Sequence, residues 1–407
     1  MDIMNDATKS SGTGRDLRLD LFRGMANWAI FLDHVPNNVV AWLTMRNYGF
    51  SDAAELFVFV SGFTVAFVYS KMLRAKGLLA AAAGILGRVW QIYVAYVLLF
   101  VFYVVAVGYV AQRYGHAHLL DEYNIRSLIA DPVEFLKHGL LLEYRPLNLD
   151  VLPLYIALMA PFPAVLWSLT KAPGVTLAGS IALYAAARSF GWNLPGYPSG
   201  SWYFNPFAWQ LLFVIGAWTA TVDRGTLDRT LRSGIVLPLA IAVVAFSAIV
   251  TVALRTGNDW MMPDTLRLVF SMNDKTNLAP YRIAHFLSLA IIVARLVPRN
   301  APALAWPVWR PLIVSGQHSL EVFCAGTFFA AVAYFALDLV DGSLLAQFVV
   351  SAAGIGAMVG VAYFRSWSKK SRSLGEGQGA GERPIADPDE LVANGKSMKP
   401  IGGFHGR

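Results

Sequence analysis

The sequence predicts an all-α polytopic membrane protein, with about ten transmembrane helices and both termini in the cytoplasm. Composition, the lengths of its apolar runs and the placement of its basic residues predict this. The 407-residue chain is 56% hydrophobic and only 14% charged, with a mean hydropathy of +0.49. That balance suits repeated spans of a lipid bilayer and not a wholly water-exposed surface. Runs long enough to cross, about 17–25 residues, recur at 19–41, 53–73, 88–111, 149–169, 175–190, 206–222, 235–255, 282–298, 312–335 and 344–364. The formal net charge of +7 does not point to nucleic acid, because the basic residues fall mostly in short loops, as positive-inside topology requires.

Taken in order, residues 1–14 are polar and lack the apolar core of a cleavable signal peptide, so a short, flexible cytoplasmic arm is expected. The membrane domain then covers 15–365. Pro36 is expected to kink or end the first helix early. Arg15 and Arg18, then Lys71, Arg74, Lys76 and Arg88, Lys171, Arg224, Arg229 and Arg232, Arg299 and Arg310, and Arg365, Lys369, Lys370 and Arg372 all fall on one side of a ten-helix path. That side is the cytoplasm. The longest outer loop, about 112–148, holds His116 and His118, whose i,i+2 spacing has no obvious third ligand, so it reads as solvated. Cys324 is the only cysteine, which leaves no disulfide framework or cysteine metal site, and no metal is expected. Residues 366–407, rich in Gly, Ser, Lys and Glu, read as a disordered cytoplasmic tail.

The first helix carries Asp20, Arg23, Asn27, Asp33 and His34. At about 100° and 1.5 Å per residue, Arg23 and His34 share a face roughly 16 Å apart. Ionisable groups within a span face a bundle interior or a wet cavity; the alternative for Asp20 and Arg23 is a simple pair at the helix end. Asp52 and Glu55 share a face in the first turn of helix two, where a helix N-terminus favours carboxylates and Ser51 or Asp52 can cap. Both lie at the outer depth of His34. Other outer ends are polar too: Asn148 and Asp150, Trp202, Asn205 and Gln210, and Lys275, Arg282 and His285. Together they resemble a carbohydrate-binding mouth, although Trp202 alone suits an interfacial aromatic. The inner ends carry Arg23, Arg88, Arg295 and Arg310, with Gln317, His318 and Glu321 at i,i+3 and i,i+4 spacings. These can hold a phosphorylated cytoplasmic donor or act simply as topology signals.

Several stretches carry a family resemblance: Arg-Leu-Asp20-Leu-Phe-Arg23-Gly, Asp33-His34, Gly49-Phe-Ser-Asp52-Ala-Ala-Glu55-Leu-Phe-Val-Phe-Val-Ser-Gly62 and Asn148-Leu-Asp150-Val-Leu-Pro-Leu-Tyr155. Trp202-Tyr-Phe-Asn205-Pro-Phe-Ala-Trp209-Gln210, Arg282-Ile-Ala-His285 and Gly316-Gln-His-Ser-Leu-Glu321 belong with them. Over about 15–365 the chain resembles the OpgC family of osmoregulated periplasmic glucan succinyltransferases. That family sits within the family 3 membrane acyltransferases, in which an arginine followed eleven residues later by a histidine marks the first helix. Arg23 and His34 match.

The resemblance implies a bacterial inner-membrane O-acyltransferase. It would move a succinyl group from cytoplasmic succinyl-CoA, a co-substrate and not a bound cofactor, to glucose hydroxyls of a periplasmic glucan. His34 would be the general base. Asp33, Asp52 or Glu55 would orient the imidazole or hold the sugar. Arg23, with Arg88, Arg310, Gln317, His318 and Glu321, would hold the donor; Asn148, Asp150, Trp202, Asn205, Gln210, Lys275, Arg282 and His285 would face the acceptor. An acetyltransferase of another envelope polysaccharide would need the same base and the same two-sided cavity. A membrane transporter would use the buried ionisable groups as a substrate path.

Overall fold

The structure, a computed structural model, describes residues 16–379 apart from 116, 117, 145, 147, 299, 300 and 341. His116, Arg299, the arm 1–14 with Arg15, and 380–407 of the expected tail lie outside the described residues. Among the described residues the secondary structure is helical with no strand.

Helix α1 (Leu17–Asp33) starts where the Asp16 carboxylate accepts the Arg18 backbone N–H. It ends at His34, whose own N–H still donates to the carbonyls of Ile30 and Phe31. Pro36 cannot continue a helix, and a 3-10 turn over Val39–Leu43 follows. The helix is thus shorter than the 19–41 expected, which puts His34 at its end. Helix α2 (Ala53–Arg113) contains the second and third expected spans. It breaks at Gly77, whose φ of 83° lies in the left-handed region that glycine adopts without strain. The segments 53–76 and 78–113 fold against each other there, joined by the Tyr69 hydroxyl donating to the Gly84 carbonyl at 3.0 Å.

The fourth span is two pieces, α3 (Val151–Met159) and α4 (Phe162–Lys171), bent by 51° where Pro161 withholds its N–H. Next come α5 (Pro173–Phe190), α6 (Pro206–Thr221), α7 (Val236–Arg255) and α8 (Pro280–Leu296). The ninth expected span is broken at His318 into α9 (Arg310–Gln317) and α10 (Ser319–Leu339). Helix α11 (Leu344–Gly379) runs past 364.

Among the described residues four helices are long and apolar enough to cross a membrane: Ala53–Arg113, Val236–Arg255, Ser319–Leu339 and Leu344–Ser371. The bent α3–α4 pair makes a fifth. Three others, α1, α6 and α8, have 17, 16 and 17 residues, at or below the lower edge of a full crossing. In α7 and α11 only 22% and 11% of the most apolar stretch is buried. Ile235, Ile249, Leu345 and Phe348 are exposed, an outward apolar surface that suits lipid.

Small residues bring helices into backbone contact. A Cβ on Gly316 would lie 1.7 Å from the Asp20 carbonyl oxygen, and one on Gly24 1.9 Å from that of Leu312, so α9 lies directly on α1. Gly62 and Gly216 do the same between α2 and α6, against the carbonyls of Phe213 and Phe59 at 2.0 and 2.2 Å. Such close packing of small residues is how helices associate where water supplies no driving force. Gly316→Val should therefore push α9 off α1 and cost about 1–3 kcal/mol, read as a lower unfolding temperature in detergent; an unchanged temperature would contradict this packing.

The two ends of these helices differ. At one, Arg18 donates to the Val297 carbonyl at 2.7 Å and Arg295 to that of Leu231 at 2.6 Å, tying the start of α1 to the end of α8. At the other, the end of α1 meets the starts of α2, α3, α6 and α8 and the end of α7.

Candidate active site

A cavity of about 400 Å³ opens where those helix ends meet. Asp33 and His34 come from the end of α1, and Ser51 and Asp52 from the turn before α2. Asn148 and Asp150 precede α3, Tyr203 precedes α6, Arg255 ends α7, Asn273 and Lys275 come from the approach to α8, and Arg282 from its first turn.

His34 is half-buried on this wall. Its Nδ1 is enclosed and has no hydrogen-bond partner among the described residues. A buried polar atom in that state costs about 1–3 kcal/mol, so it needs a reason. Among the described residues no carboxylate hydrogen-bonds the ring, so of the two expected roles of Asp33, Asp52 and Glu55, orienting the imidazole or holding the sugar, the first is not seen in this structure. Asp33 Oδ1 accepts instead from Thr44 Oγ1 at 2.7 Å, because the early end of α1 lets the 3-10 turn fold back over it. Asp52 and Glu55 are committed elsewhere.

Those two acids form a capping box at the start of α2: Asp52 Oδ1 accepts from the Ala54 N–H at 2.8 Å and Glu55 Oε2 from the Asp52 N–H at 2.9 Å. Their other oxygens hold cations. Arg282 donates through Nε to Glu55 Oε1 at 2.7 Å, through Nη2 to Asp52 Oδ2 at 3.2 Å and through Nη1 to Asn273 Oδ1 at 2.9 Å. Lys275 Nζ lies 2.6 Å from Asp52 Oδ2. Glu55 and Arg282 are 0% and 1% exposed, so their charges are tolerable only because they are paired. Burial pushes the Asp52 carboxyl up, but Lys275 and Arg282 outweigh it and hold it below the usual carboxylate range. This network fixes the first turn of α2 to α8. Its carboxylates are held as a scaffold, and Asp52, Lys275 and Arg282 present their edges to the cavity.

His285 lies one turn beyond Arg282, behind the lining. Its Nδ1 accepts the Ser51 N–H at 3.2 Å and is 2.7 Å from Ser51 Oγ. Gly49 must be glycine for this, since a Cβ there would lie 2.3 Å from the imidazole. His285 therefore positions the turn carrying Ser51 and lies outside the cavity lining.

Three other expected acceptor residues are also structural. Asn205 is fully buried and caps α6 through the Phe207 N–H, while its Nδ2 donates to Trp192 O and Asn277 Oδ1 at 2.6 and 3.0 Å. Gln210 ties α6 to α5 through Ser180, with contacts of 2.6 and 2.9 Å. Trp202 is buried and outside the lining, where its neighbour Tyr203 sits instead. Asn205→Ala should lower stability by about 1–2 kcal/mol through loss of the cap and leave the KM for any cavity substrate unchanged; a raised KM in a fully folded variant would restore Asn205 to the site.

The expected donor residues lie towards the opposite end. Arg23 is half-buried, and on the same helix Asn27 Nδ2 donates to Ser319 O and Oγ, both at 3.3 Å, just past the break at His318. Arg310 and Gln317 are exposed, while His318 and Glu321 are half-buried at that break. Arg88 donates to Gln91 at 3.1 Å, on the arm of α2 beyond Gly77. Of the polar lining residues, Arg46, Ser51, Tyr203, Arg255 and Asn273 lie outside the expected set. The available signal was charge, since Arg46 and Arg255 are basic residues on the side that should be poor in them. Among the described residues no cluster of His, Cys, Asp and Glu is arranged to hold a metal ion.

A family model described as "OpgC protein" matches residues 15–370, a span that includes every segment lining the cavity. No curated protein and no solved structure matches the chain. With most of its length covered by that one model, the chain belongs to the OpgC protein family.

Proposed function

We propose that the protein is an O-acyltransferase of the bacterial inner membrane that moves a succinyl group from cytoplasmic succinyl-CoA to a glucose hydroxyl of a periplasmic glucan. The observation that carries this reading is the placement of His34: a half-buried imidazole on the wall of a polar cavity, with Nδ1 unpartnered. Family membership supports a glucan as the substrate, and the cavity is polar enough to hold sugar hydroxyls. The charge pattern of the loops supports ten crossings with both termini in the cytoplasm; in that topology the cavity would face the periplasm and Arg23 the donor side.

In the direct reaction, His34 takes the proton of the sugar hydroxyl, and the freed oxygen attacks the thioester carbonyl carbon. The carbon–sulfur bond then breaks, and the leaving thiolate recovers the proton from the imidazolium. Asn148, Asp150 and Tyr203 hold the acceptor. Arg23 steadies the donor along α1, with Gln317, His318, Glu321 and Arg310 near the break between α9 and α10.

The test is transfer of label from succinyl-CoA to a soluble glucan by the purified protein in detergent. Label on the glucan supports the reading; label arriving only from acetyl-CoA makes it an acetyltransferase. Transport of glucan into liposomes with no acyl donor, and no labelling from either donor, would replace it with a transporter.

A further inference from the structure

A second cavity of about 550 Å³ lies beside the first and shares Asp33, Arg46 and Arg255 with it. Its remaining walls are the chain after α1 and the start of α11, including Asn37, Asn38 and Gln347. Two guanidinium groups therefore line it against one carboxylate, Asp33, which already accepts from Thr44. The other cations of the site are neutralised: Lys275 and Arg282 pair with Asp52 and Glu55. Arg46 and Arg255 are not. Arg46 Nη1 donates to the backbone carbonyl of Asp33 at 3.1 Å, and Arg255 Nη2 reaches only the carbonyl of Arg46 at 3.5 Å. Neither forms an ion pair with a carboxylate within 4.0 Å among the described residues. Most of their N–H donors are left over, on a wall next to the candidate base.

We propose that Arg46 and Arg255 form a carboxylate-binding subsite that holds an anionic group of the substrate beside His34. A guanidinium presents a planar fork that matches a carboxylate with two parallel hydrogen bonds. Arg46 is tethered to the residue adjoining His34, so a short dicarboxylic acyl chain reacting at His34 can set its free carboxylate against it. This rests on the acyl-transfer reading and deepens it, because an acetyl group lacks the carboxylate and would leave the pair unsatisfied. A site built for a polar group discriminates strongly against a substrate that lacks it. The same chemistry could be met by an anionic substituent already on the glucan, and the two sources separate in assay.

Purified wild type, Arg46→Gln, Arg255→Gln and the double variant are assayed with labelled succinyl-CoA and with acetyl-CoA, on an uncharged glucan and on one bearing anionic substituents. Expected is a loss of about tenfold or more in succinyl transfer to the uncharged glucan, with acetyl transfer unchanged and Arg46→Lys partly restored. Equal losses with both donors, seen only on the anionic glucan, assign the subsite to the acceptor. Variants matching wild type in every combination overturn the proposal. Should wild type transfer nothing, the functional reading fails separately, and titration with monomethyl succinate against dimethyl succinate decides the subsite. Preferential binding of the charged ester, lost in the double variant, supports it, and no preference refutes it.

Discussion

Replacing His34 by alanine should leave a folded protein whose glucan acylation falls by about a hundred- to ten-thousand-fold, the usual contribution of a positioned general base. His34 closes α1 through its backbone N–H, a bond that alanine keeps. Its ring contributes no hydrogen bond at Nδ1, so folding does not depend on it. Size-exclusion in detergent confirms the fold, and the labelled succinyl-CoA assay reads the chemistry. Because no side-chain carboxylate is bonded to the ring, Asp33→Asn should be much milder than His34→Ala. The reverse order would mean that Asp33 and not the imidazole performs the proton transfer.

Arg282→Met should be the most destabilising single change in the site. It strands the Glu55 carboxylate, which is 0% exposed, and removes one of two cations from Asp52. Breaking one side of a buried ion pair costs about 3–5 kcal/mol, whereas replacing the whole pair with apolar or neutral groups is far milder. The double variant Arg282→Met with Glu55→Gln should therefore be more stable than Arg282→Met alone. A double-mutant cycle on unfolding midpoints measures this; additive effects would show that the two residues do not interact as the geometry has them.

Much of this architecture is legible in the sequence. The early stop of α1 at Pro36 follows from a missing backbone N–H group, and the polarity of helix ends points to the region of the cavity, whereas the bend at Pro161 inside the expected span 149–169 is seen only in the structure. What local pattern cannot carry is the partner of a polar residue. Asn205, Gln210 and His285 are as polar as true lining residues, yet tertiary folding turns them onto Trp192, Ser180 and Ser51. The fold-back of the 3-10 turn gives Asp33 to Thr44, separated by eleven positions, and no spacing rule foresees that. Arg46 and Arg255 lie far apart in sequence, and only the folded chain brings both onto the cavity wall. Their place on the side that should carry few positive charges was the clue.

One measurement bears on the whole account: transfer across a sealed bilayer. Proteoliposomes loaded with glucan and given labelled succinyl-CoA only outside should accumulate succinylated glucan inside, and His34→Ala vesicles should not. Labelling that occurs only when donor and glucan share one compartment would contradict a base reached from both sides of the membrane.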